Sequence, residues 1–171
     1  MEPNIKRFSL IVAVTIGIAL LPSLRSEAQQ TNIVTNGSKY IGEAKDGKPN
    51  GFGTLTMSNG VKYVGDFKDG IMDGHGSVTY TNGGWYIGEF RDDYFSGRGT
   101  EKFPDGRKYD GEFKNGLPNG QGLLESPDGS TYRGDFRFGL RHGHGRRTYP
   151  DGHVEEGLWN DGKFIGAEKL P

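Results

Sequence analysis

Aromatic and glycine residues alternate with polar residues over most of the chain. In "YVGDF", Tyr63, Gly65 and Phe67 occupy every second position. Because successive side chains of a strand point to opposite faces, this spacing predicts a strand with one aromatic and one polar face. "GHGSVTY", which begins at Gly74, alternates in the same way, and "KDGIMD" between them supplies a glycine turn. The pattern predicts a β-hairpin.

The same pattern returns every 23 residues. The column of tyrosines comprises Tyr40, Tyr63, Tyr86, Tyr109 and Tyr132. Of the 30 glycines, 28 fall into five columns of the same period, and only Gly17 and Gly84 lie outside them. Such phasing is typical of a repeat architecture. "SNG", "TNG" and three copies of "PDG" mark the turns that link one hairpin to the next.

The glycines of the repeated Gly-x-Gly require a physical reason, because glycine weakens a strand interior. We expect these glycines to leave room for tyrosine and phenylalanine rings that lie flat over the neighbouring strand. The predicted structural glycines are Gly51, Gly53, Gly74, Gly76, Gly97, Gly99, Gly120, Gly122, Gly143 and Gly145. The predicted fold class is all-β, an elongated single-layer antiparallel sheet of about twelve strands in consecutive 23-residue hairpins.

The repeat also sets the predicted boundaries. A signal peptide occupies 1–28, a half repeat or cap 29–39, and a truncated repeat with a C-terminal tail 155–171. The five full units are 40–62, 63–85, 86–108, 109–131 and 132–154. Open edges of such a sheet invite pairing between copies, so an oligomer is possible.

These units resemble the MORN (membrane occupation and recognition nexus) repeat family. The residues that carry the resemblance are Tyr63-x-Gly65-Asp66-Phe67, Gly70, Gly74-x-Gly76 and Gly83, with equivalents along residues 32 to 166. The resemblance implies an elongated sheet of hairpins that serves as an interaction or tethering module.

The N-terminal residues resemble a secretory signal peptide. Lys6 and Arg7 precede the apolar stretch "LIVAVTIGIALL", and a small-x-small sequence ends at Ala28. We expect cleavage near Ala28 and export to the periplasm or medium. The alternative is an uncleaved membrane anchor, although a spanning helix needs ~20 apolar residues and Pro22 and Arg25 interrupt this one.

Composition removes several kinds of chemistry. The chain has no cysteine, which excludes disulfides, thiolate metal sites and cysteine catalysis. The net charge of -1 and the lack of a nucleic-acid-binding motif argue against a nucleic-acid partner. The Gly-x-Gly copies lack the lysine and the helix of a phosphate loop, so no cofactor is expected. His142, His144 and His153 lack a clear further ligand, and we expect them to be solvated rather than to bind a metal.

A column of acids accompanies the tyrosines: Glu43, Asp66, Glu89, Glu112 and Asp135. We expect these acids to pair with a lysine, an arginine or a backbone amide. Hydrolysis needs two carboxylates with different environments in one cleft, and no pair stands out. An enzyme acting on cell-wall glycans is therefore the least favoured hypothesis, and no catalytic residue is predicted.

Two surfaces are candidates for binding. The candidate interaction face comprises Tyr63, Phe67, Tyr86, Phe90, Tyr109, Phe113, Tyr132 and Phe136, which we expect to stay partly open as a groove. The alternative is that these rings only cover their own glycines. The candidate anion or lipid patch of the fifth unit comprises Arg133, Arg137, Arg141, Arg146 and Arg147. Its alternative is local ion pairing with the acids that follow.

The sequence therefore favours a non-enzymatic repeat scaffold that binds a protein partner of unknown identity through its aromatic face. Peripheral association with an anionic membrane through the basic fifth unit is the alternative.

Overall fold

The structure, a computed structural model, describes residues 30–167, and the predicted signal peptide lies outside them. Within these residues the regular elements are strands β1 (Thr31–Thr35), β2 (Ser38–Lys45), β3 (Lys48–Thr56), β4 (Lys62–Lys68), β5 (Ile71–Thr79), β6 (Trp85–Arg91), β7 (Tyr94–Lys102), β8 (Lys108–Lys114), β9 (Leu117–Glu125), β10 (Thr131–Arg137), β11 (Leu140–Thr148), β12 (Val154–Asn160) and β13 (Lys163–Gly166). No helix of this part of the chain is long and apolar enough to cross a bilayer.

The thirteen strands form one antiparallel sheet in which each strand pairs with its neighbours in sequence, from β1 to β13. At ~4.8 Å between strands, the sheet extends about 60 Å across its strands. The predicted fold class, a single antiparallel sheet of consecutive hairpins, is confirmed, with thirteen strands in residues 30–167 instead of about twelve.

Each hairpin closes through two residues with positive φ. In the second unit these are Asp69 (φ 52°) and Gly70 (φ 96°). Two such residues make a type I′ turn, whose twist matches that of the flanking strands. The same turn in the fifth unit holds Phe138 (φ 51°) in the position that aspartate or asparagine occupies in the other units.

The turns that link hairpins are closed by side chains as well as backbone. Between β3 and β4, Met57 N–H donates to the Val61 carbonyl over 2.8 Å, and Val61 N–H donates to Asn59 Oδ1 over 3.1 Å. In the "PDG" turn between β7 and β8, Arg107 N–H donates to Asp105 Oδ1 over 3.1 Å in the same way. The Asx side chain thus fixes the turn that the sequence predicts.

Each full unit has one irregularity in its ladder. Between β4 and β5, Gly65 lies opposite Gly76, but the next pair is Phe67 opposite Met72. One residue of β4 therefore opposes three of β5, a bulge that includes Gly74.

The first strand departs from the period. Leu55 lies opposite Tyr63. The residues 23 positions earlier are Asn32 and Tyr40, but Tyr40 lies opposite Ile33 instead of Asn32. The difference arises because Asn36 (φ 50°) and Gly37 (φ 77°) form a tight two-residue turn in place of the longer link. The shift brings an apolar side chain over the core.

The core is a single layer of rings on one face of the sheet, here called the aromatic face. Its buried residues are Tyr40, Tyr63, Phe67, Val78, Tyr86, Phe90, Tyr109, Phe113, Tyr132, Phe136 and Trp159. Tyrosines and phenylalanines alternate edge to face, with Tyr63 and Phe90 centroids 4.9 Å apart and Tyr86 and Phe113 centroids 5.0 Å apart. These contacts cross from one unit to the next and so couple neighbouring hairpins.

Candidate functional site

The second glycine of each Gly-x-Gly lies beneath a tyrosine ring. A Cβ built on Gly76 would stand 2.5 Å from Tyr63 Cε2, and one on Gly99 would stand 2.6 Å from Tyr86 Cε2. Both distances are far below carbon–carbon contact at ~3.5–4.0 Å. The second glycine therefore has the role expected from the sequence, which is to leave room for a ring.

The first glycine of the motif has a different role, and the expectation that it also faces a ring needs correction. Gly74 has φ +117° and lies at the bulge, and a Cβ there would stand 2.8 Å from Asp66 Cβ. The corresponding positions Gly51, Gly97, Gly120 and Gly143 also have positive φ and face the acid of their own unit. The bulge changes the alternation of faces, so the two glycines do not share one environment.

The acid column supports the backbone at these bulges. His75 N–H donates to Asp66 Oδ2 over 3.0 Å, Arg98 N–H to Glu89 Oε1 over 3.0 Å, and His144 N–H to Asp135 Oδ2 over 2.8 Å. For these three acids the backbone amide, one of the expected partners, is found, and Asp135 also accepts a hydrogen bond from Gln121 Nε2.

The tyrosine hydroxyls complete this arrangement. The hydroxyl of Tyr63 donates to the carbonyl of Asp66 over 2.8 Å, and that of Tyr109 to the carbonyl of Glu112 over 3.0 Å. Tyrosine, acid and Gly-x-Gly therefore recur together because they hold one bulge between them. Burial raises the pKa of Tyr63, Tyr86 and Tyr109 well above the ordinary value, so these hydroxyls remain donors.

The rings of the candidate interaction face are more buried than the sequence led us to expect. Tyr63, Tyr86 and Tyr109 have no exposed surface, and Phe67, Phe90 and Phe113 expose 4–5%. The predicted open groove is therefore wrong for these atoms, because further side chains pack over them. This covering strip is half-buried and comprises Ile33, Leu55, Val61, Met72, Tyr80, Phe95, Phe103, Leu124 and Phe164.

The five arginines of the candidate patch lie on different surfaces. Arg133 and Arg146 are cross-strand partners on the outer face, opposite the aromatic face, and Arg146 Nη1 lies 3.5 Å from Glu156 Oε2. The guanidinium of Arg141 lies 4.5 Å from the centre of the Trp159 ring, and its Nη2 donates to the Gly162 carbonyl over 2.7 Å.

The two remaining arginines also have neighbours within the fifth unit. The Arg147 guanidinium lies 4.1 Å from the centre of the Tyr149 ring. Arg137 is exposed at the end of β10, where its guanidinium lies 5.5 Å from the centre of the Phe138 ring. The structure therefore does not unite the five arginines as one patch.

The edge formed by the hairpin turns carries apolar side chains that reasoning from the sequence missed. Tyr94 is 59% exposed and Phe138 67%; Leu117 is exposed between them along the chain, and Leu140 is exposed just after Phe138. The basic residues Arg91, Lys114 and Arg137 end the strands that precede these turns and are exposed as well. We call this set the hairpin edge.

Two histidines of β11 contact acids, and the outer face carries a shallow depression. His142 Nδ1 lies 3.6 Å from Asp161 Oδ1, while His144 meets Asp135 through its backbone N–H. An open depression of about 250 Å³ on the outer face is lined by residues that include Arg98, Thr100 and Asp110. Asp110 accepts a hydrogen bond from Thr100 Oγ1 over 2.6 Å.

Further residues on the aromatic face were also missed. Trp159 stands 23 residues after Phe136 and takes the place of a column phenylalanine, a signal that the period itself contains. Glu101 lies opposite both Tyr86 and Tyr109, where three other units have Leu55, Val78 and Leu124 and the fifth has Arg147. Burial raises the pKa of the Glu101 carboxyl from 4.5 to about 7, and Arg107 opposes the shift.

The repeat geometry agrees with a comparison against protein families. A family model described as "MORN repeat" matches residues 40–62, 63–85, 86–106, 109–131 and 132–154. A comparison with curated proteins finds no match. Among solved structures, the SAS-4 (dCPAP) TCP domain of Drosophila melanogaster, in complex with a proline-rich motif of Ana2 (dSTIL), is similar at 16% identity and a TM-score of 0.43, over 87% of this chain and 86% of that chain. With five matched units over most of its length, the chain belongs to the MORN repeat family.

Proposed function

We propose that this protein is a non-enzymatic scaffold that binds a protein partner on its aromatic face. The observation that carries this proposal is the half-buried covering strip, an apolar surface on a sheet with no second layer among the described residues. Apolar strips of this kind with polar surroundings are typical of interaction sites. The partner would contact the covering strip, since the tyrosines beneath it are already buried.

The acid column supports a non-enzymatic role. Asp66, Glu89 and Asp135 accept hydrogen bonds from backbone amides at the bulges, which is a structural use of a carboxylate. A glycan hydrolase would need two carboxylates that flank a substrate cleft. The depression on the outer face offers one acid, Asp110, which is bonded to Thr100.

The test uses two neighbouring residues that point to opposite faces of β9. Leu124→Gln changes the covering strip, while Leu123→Gln changes the outer face, and both side chains are half-buried. The immobilised mature protein is used to capture partners from the source organism, with folding checked by thermal unfolding. We expect Leu124→Gln to lose a partner that Leu123→Gln retains. Equal retention by both variants would refute the use of the aromatic face.

A second candidate function is peripheral binding to an anionic membrane, and the hairpin edge favours it. Phe138 and Leu140 are exposed beside Arg137, and Leu117 is exposed beside Lys114. Protruding apolar side chains among cations suit the boundary between lipid head groups and acyl chains. This surface replaces the five-arginine patch as the basis of the membrane proposal.

Sedimentation with phosphatidylserine vesicles tests this second function. We expect binding that falls with salt, is absent with neutral vesicles, and is lost on combining Arg137→Gln with Phe138→Asn. Combining Arg133→Gln with Arg146→Gln changes an equal number of residues on the outer face and serves as the control. Equal loss from both pairs would contradict a role for the hairpin edge.

We further propose that the protein acts after export, with the signal peptide removed near Ala28. The motivating feature is the apolar stretch followed by a small-x-small sequence. Intact mass of the protein recovered from the periplasm or medium tests this proposal. A mass that includes the first 28 residues would favour the uncleaved anchor instead.

A further inference from the structure

One row of residues across the aromatic face carries opposite charges on either side of a leucine. Glu101 of β7, Leu124 of β9 and Arg147 of β11 follow each other at steps of 23 residues. Tyr109 lies opposite both Glu101 and Leu124. Tyr132 lies opposite both Leu124 and Arg147. The acid and the arginine therefore stand at equal distances from the leucine, two strands or about 10 Å on each side.

Neither charge of this row has an ion pair within residues 30–167. The Arg147 guanidinium lies over the Tyr149 ring, and Glu155, which lies opposite Arg147, accepts a hydrogen bond from the Tyr149 hydroxyl over 2.7 Å. Glu101 and Arg147 are both half-buried. A charge without an ion pair in a largely apolar row costs stability. The fold of a single chain therefore does not explain these two residues.

The row is complementary to itself when a second copy packs on it face to face. A twofold axis through Leu124, parallel to the strands, exchanges the two sides of the row. Because Glu101 and Arg147 are equally far from this axis, the acid of each copy lies over the arginine of the other. Leu124 meets its own equivalent at the axis. Such an isologous interface contains the same ion pair twice.

A second row is complementary about the same axis. Phe95, Pro118 and Arg141 occupy equivalent positions on β7, β9 and β11. One face of the Phe95 ring stacks on Tyr86, with 3.7 Å between centroids, so its other face points away from that contact. The axis brings Arg141 of the second copy to this ring, and a guanidinium binds favourably to a ring face. Pro118 lies at the axis and is buried, so it leaves room for the approach.

The overlap of two such sheets is large enough for a stable dimer. An axis at β9 places β5 of each copy over β13 of the other, so nine strands overlap. With ~4.8 Å between strands and about 20 Å of strand length, the covered area is on the order of 800 Å² per copy. Specific protein interfaces bury about this area on each partner. The covering strip supplies the apolar part of the contact.

We propose that the partner on the aromatic face is a second copy of this chain, packed face to face about a twofold axis at Leu124 with reciprocal ion pairs between Glu101 and Arg147. The inference rests on the proposed function, because it names the occupant of the same face. The second sheet covers the apolar side that a single sheet leaves half-buried, as in other proteins built from two packed layers.

Analytical ultracentrifugation of the mature protein and of charge-reversed variants tests this pairing. We expect the mature protein to sediment as a dimer. Glu101→Arg alone and Arg147→Glu alone should each raise the dissociation constant at least about tenfold, because like charges then face each other. A mixture of the two variants restores opposite charges at both contacts, so it should form a heterodimer. The chain that carries both changes should form a homodimer.

Matched controls reverse the same charges elsewhere. Glu125→Arg and Arg133→Glu change exposed residues of the outer face and should leave the dimer unchanged. Thermal unfolding of each variant checks its folding. Recovery on mixing requires both single variants to be folded, so it separates lost pairing from lost structure.

The absence of native cysteine permits a second measurement. Facing sheets lie ~10 Å apart, which is beyond the reach of a disulfide but within that of a short bismaleimide. The bismaleimide should link two chains of Leu124→Cys, whose thiols lie at the axis, and should leave Leu123→Cys single. A monomer at about 100 µM, a mixture that stays monomeric, or equal linking of the two cysteine variants would each overturn the proposal.

The outcome is separable from that of the proposed function. If the mature protein is a monomer and Leu124→Gln still loses a captured partner that Leu123→Gln retains, another protein occupies the aromatic face and the self-pairing is wrong. If mixing the charge-reversed variants restores the dimer while Leu124→Gln retains the captured partner, the self-pairing is right and the scaffold binds that partner elsewhere.

Discussion

Replacing Gly99 by alanine tests the contact on which the fold is built. Gly99 lies beneath Tyr86 near the middle of the sheet and has no left-handed backbone, so alanine meets no conformational barrier there. Its Cβ would stand 2.5 Å from the Tyr86 hydroxyl oxygen and 2.6 Å from Cε2. Either the ring or the strand must therefore move by about 1 Å to restore ordinary contact.

The ring has little freedom to move. Tyr86 contacts Phe90 and Phe113 edge to face, stacks on Phe95 at 3.7 Å between centroids, and donates to the Glu89 carbonyl over 2.9 Å. Overpacking costs about 1–3 kcal/mol, and a lost hydrogen bond costs about 1 kcal/mol. The better strand propensity of alanine returns about 0.5–1 kcal/mol. We expect the free energy of unfolding to fall by about 1–3.5 kcal/mol.

Urea denaturation followed by tyrosine and tryptophan fluorescence measures this cost. Gly83→Ala is the control, since Gly83 has φ +88° and no atom within 4 Å of a built Cβ. It should cost about 1–2 kcal/mol from backbone strain alone. In a Tyr86→Ala background the ring is absent, so Gly99→Ala should cost nothing. Additive effects of Gly99→Ala and Tyr86→Ala would refute the interpretation that this glycine makes room for the ring.

Three further changes test separate features. Above pH 7, Glu101→Leu should raise the free energy of unfolding by about 1 kcal/mol after allowance for solvent screening, because the raised pKa of Glu101 means that its charged form destabilises the fold. In urea denaturation this gain should shrink as the pH falls from 7 towards 4.5, and a gain that does not shrink would be due to packing. Phe138→Asn should stabilise by about 0.5–1 kcal/mol, because asparagine tolerates the φ of 51° better, and unchanged thermal stability would contradict strain at this turn. Asp66→Ala should cost about 1–2 kcal/mol and speed hydrogen exchange at the His75 amide, and a protected amide would show that the carboxylate is not its essential acceptor.

The hairpins were predictable because the strands and the turns each follow from one local rule. Tyr63, Gly65 and Phe67 share a face by strand alternation, and the turn at Gly70 needs positive φ. Both rules act within a few residues, so the sequence shows them directly. The repeat then places one hairpin beside the next, so every strand pairs with its neighbours in sequence and no long-range strand pairing has to be predicted.

The bulge was not predictable from alternation alone. A strict period of two places Gly74 and Gly76 on one face, whereas Gly74 faces Asp66 and Gly76 faces Tyr63. The register shift depends on a carboxylate and a hydroxyl that reach backbone groups of the same hairpin, and a periodicity argument contains no such contacts. For the same reason the sequence left three kinds of partner open for the acid column.

The arginines show why closeness in sequence misleads in a sheet. Arg146 and Arg147 are adjacent, yet Arg146 meets Glu156 on the outer face while Arg147 lies over Tyr149. Neighbouring residues of a strand point to opposite faces, so a run of charge is divided between two surfaces. Side chains that gather on one surface instead come from different units, as Leu117 and Leu140 do at the hairpin edge.

The repeat provides internal controls for separating fold from function. A position that follows its column has a role that the other units share, as the tyrosines have at their bulges. Where one unit has a residue that differs from its equivalents in the other units and that lowers stability, a shared structural role does not explain it. Glu101 places a carboxyl where Leu55 and Leu124 pack, and Phe138 places a ring at a positive φ. Replacing such a residue by its counterpart from another unit should stabilise the fold while it removes binding, whereas replacing a residue that serves only the fold can do no more than destabilise it.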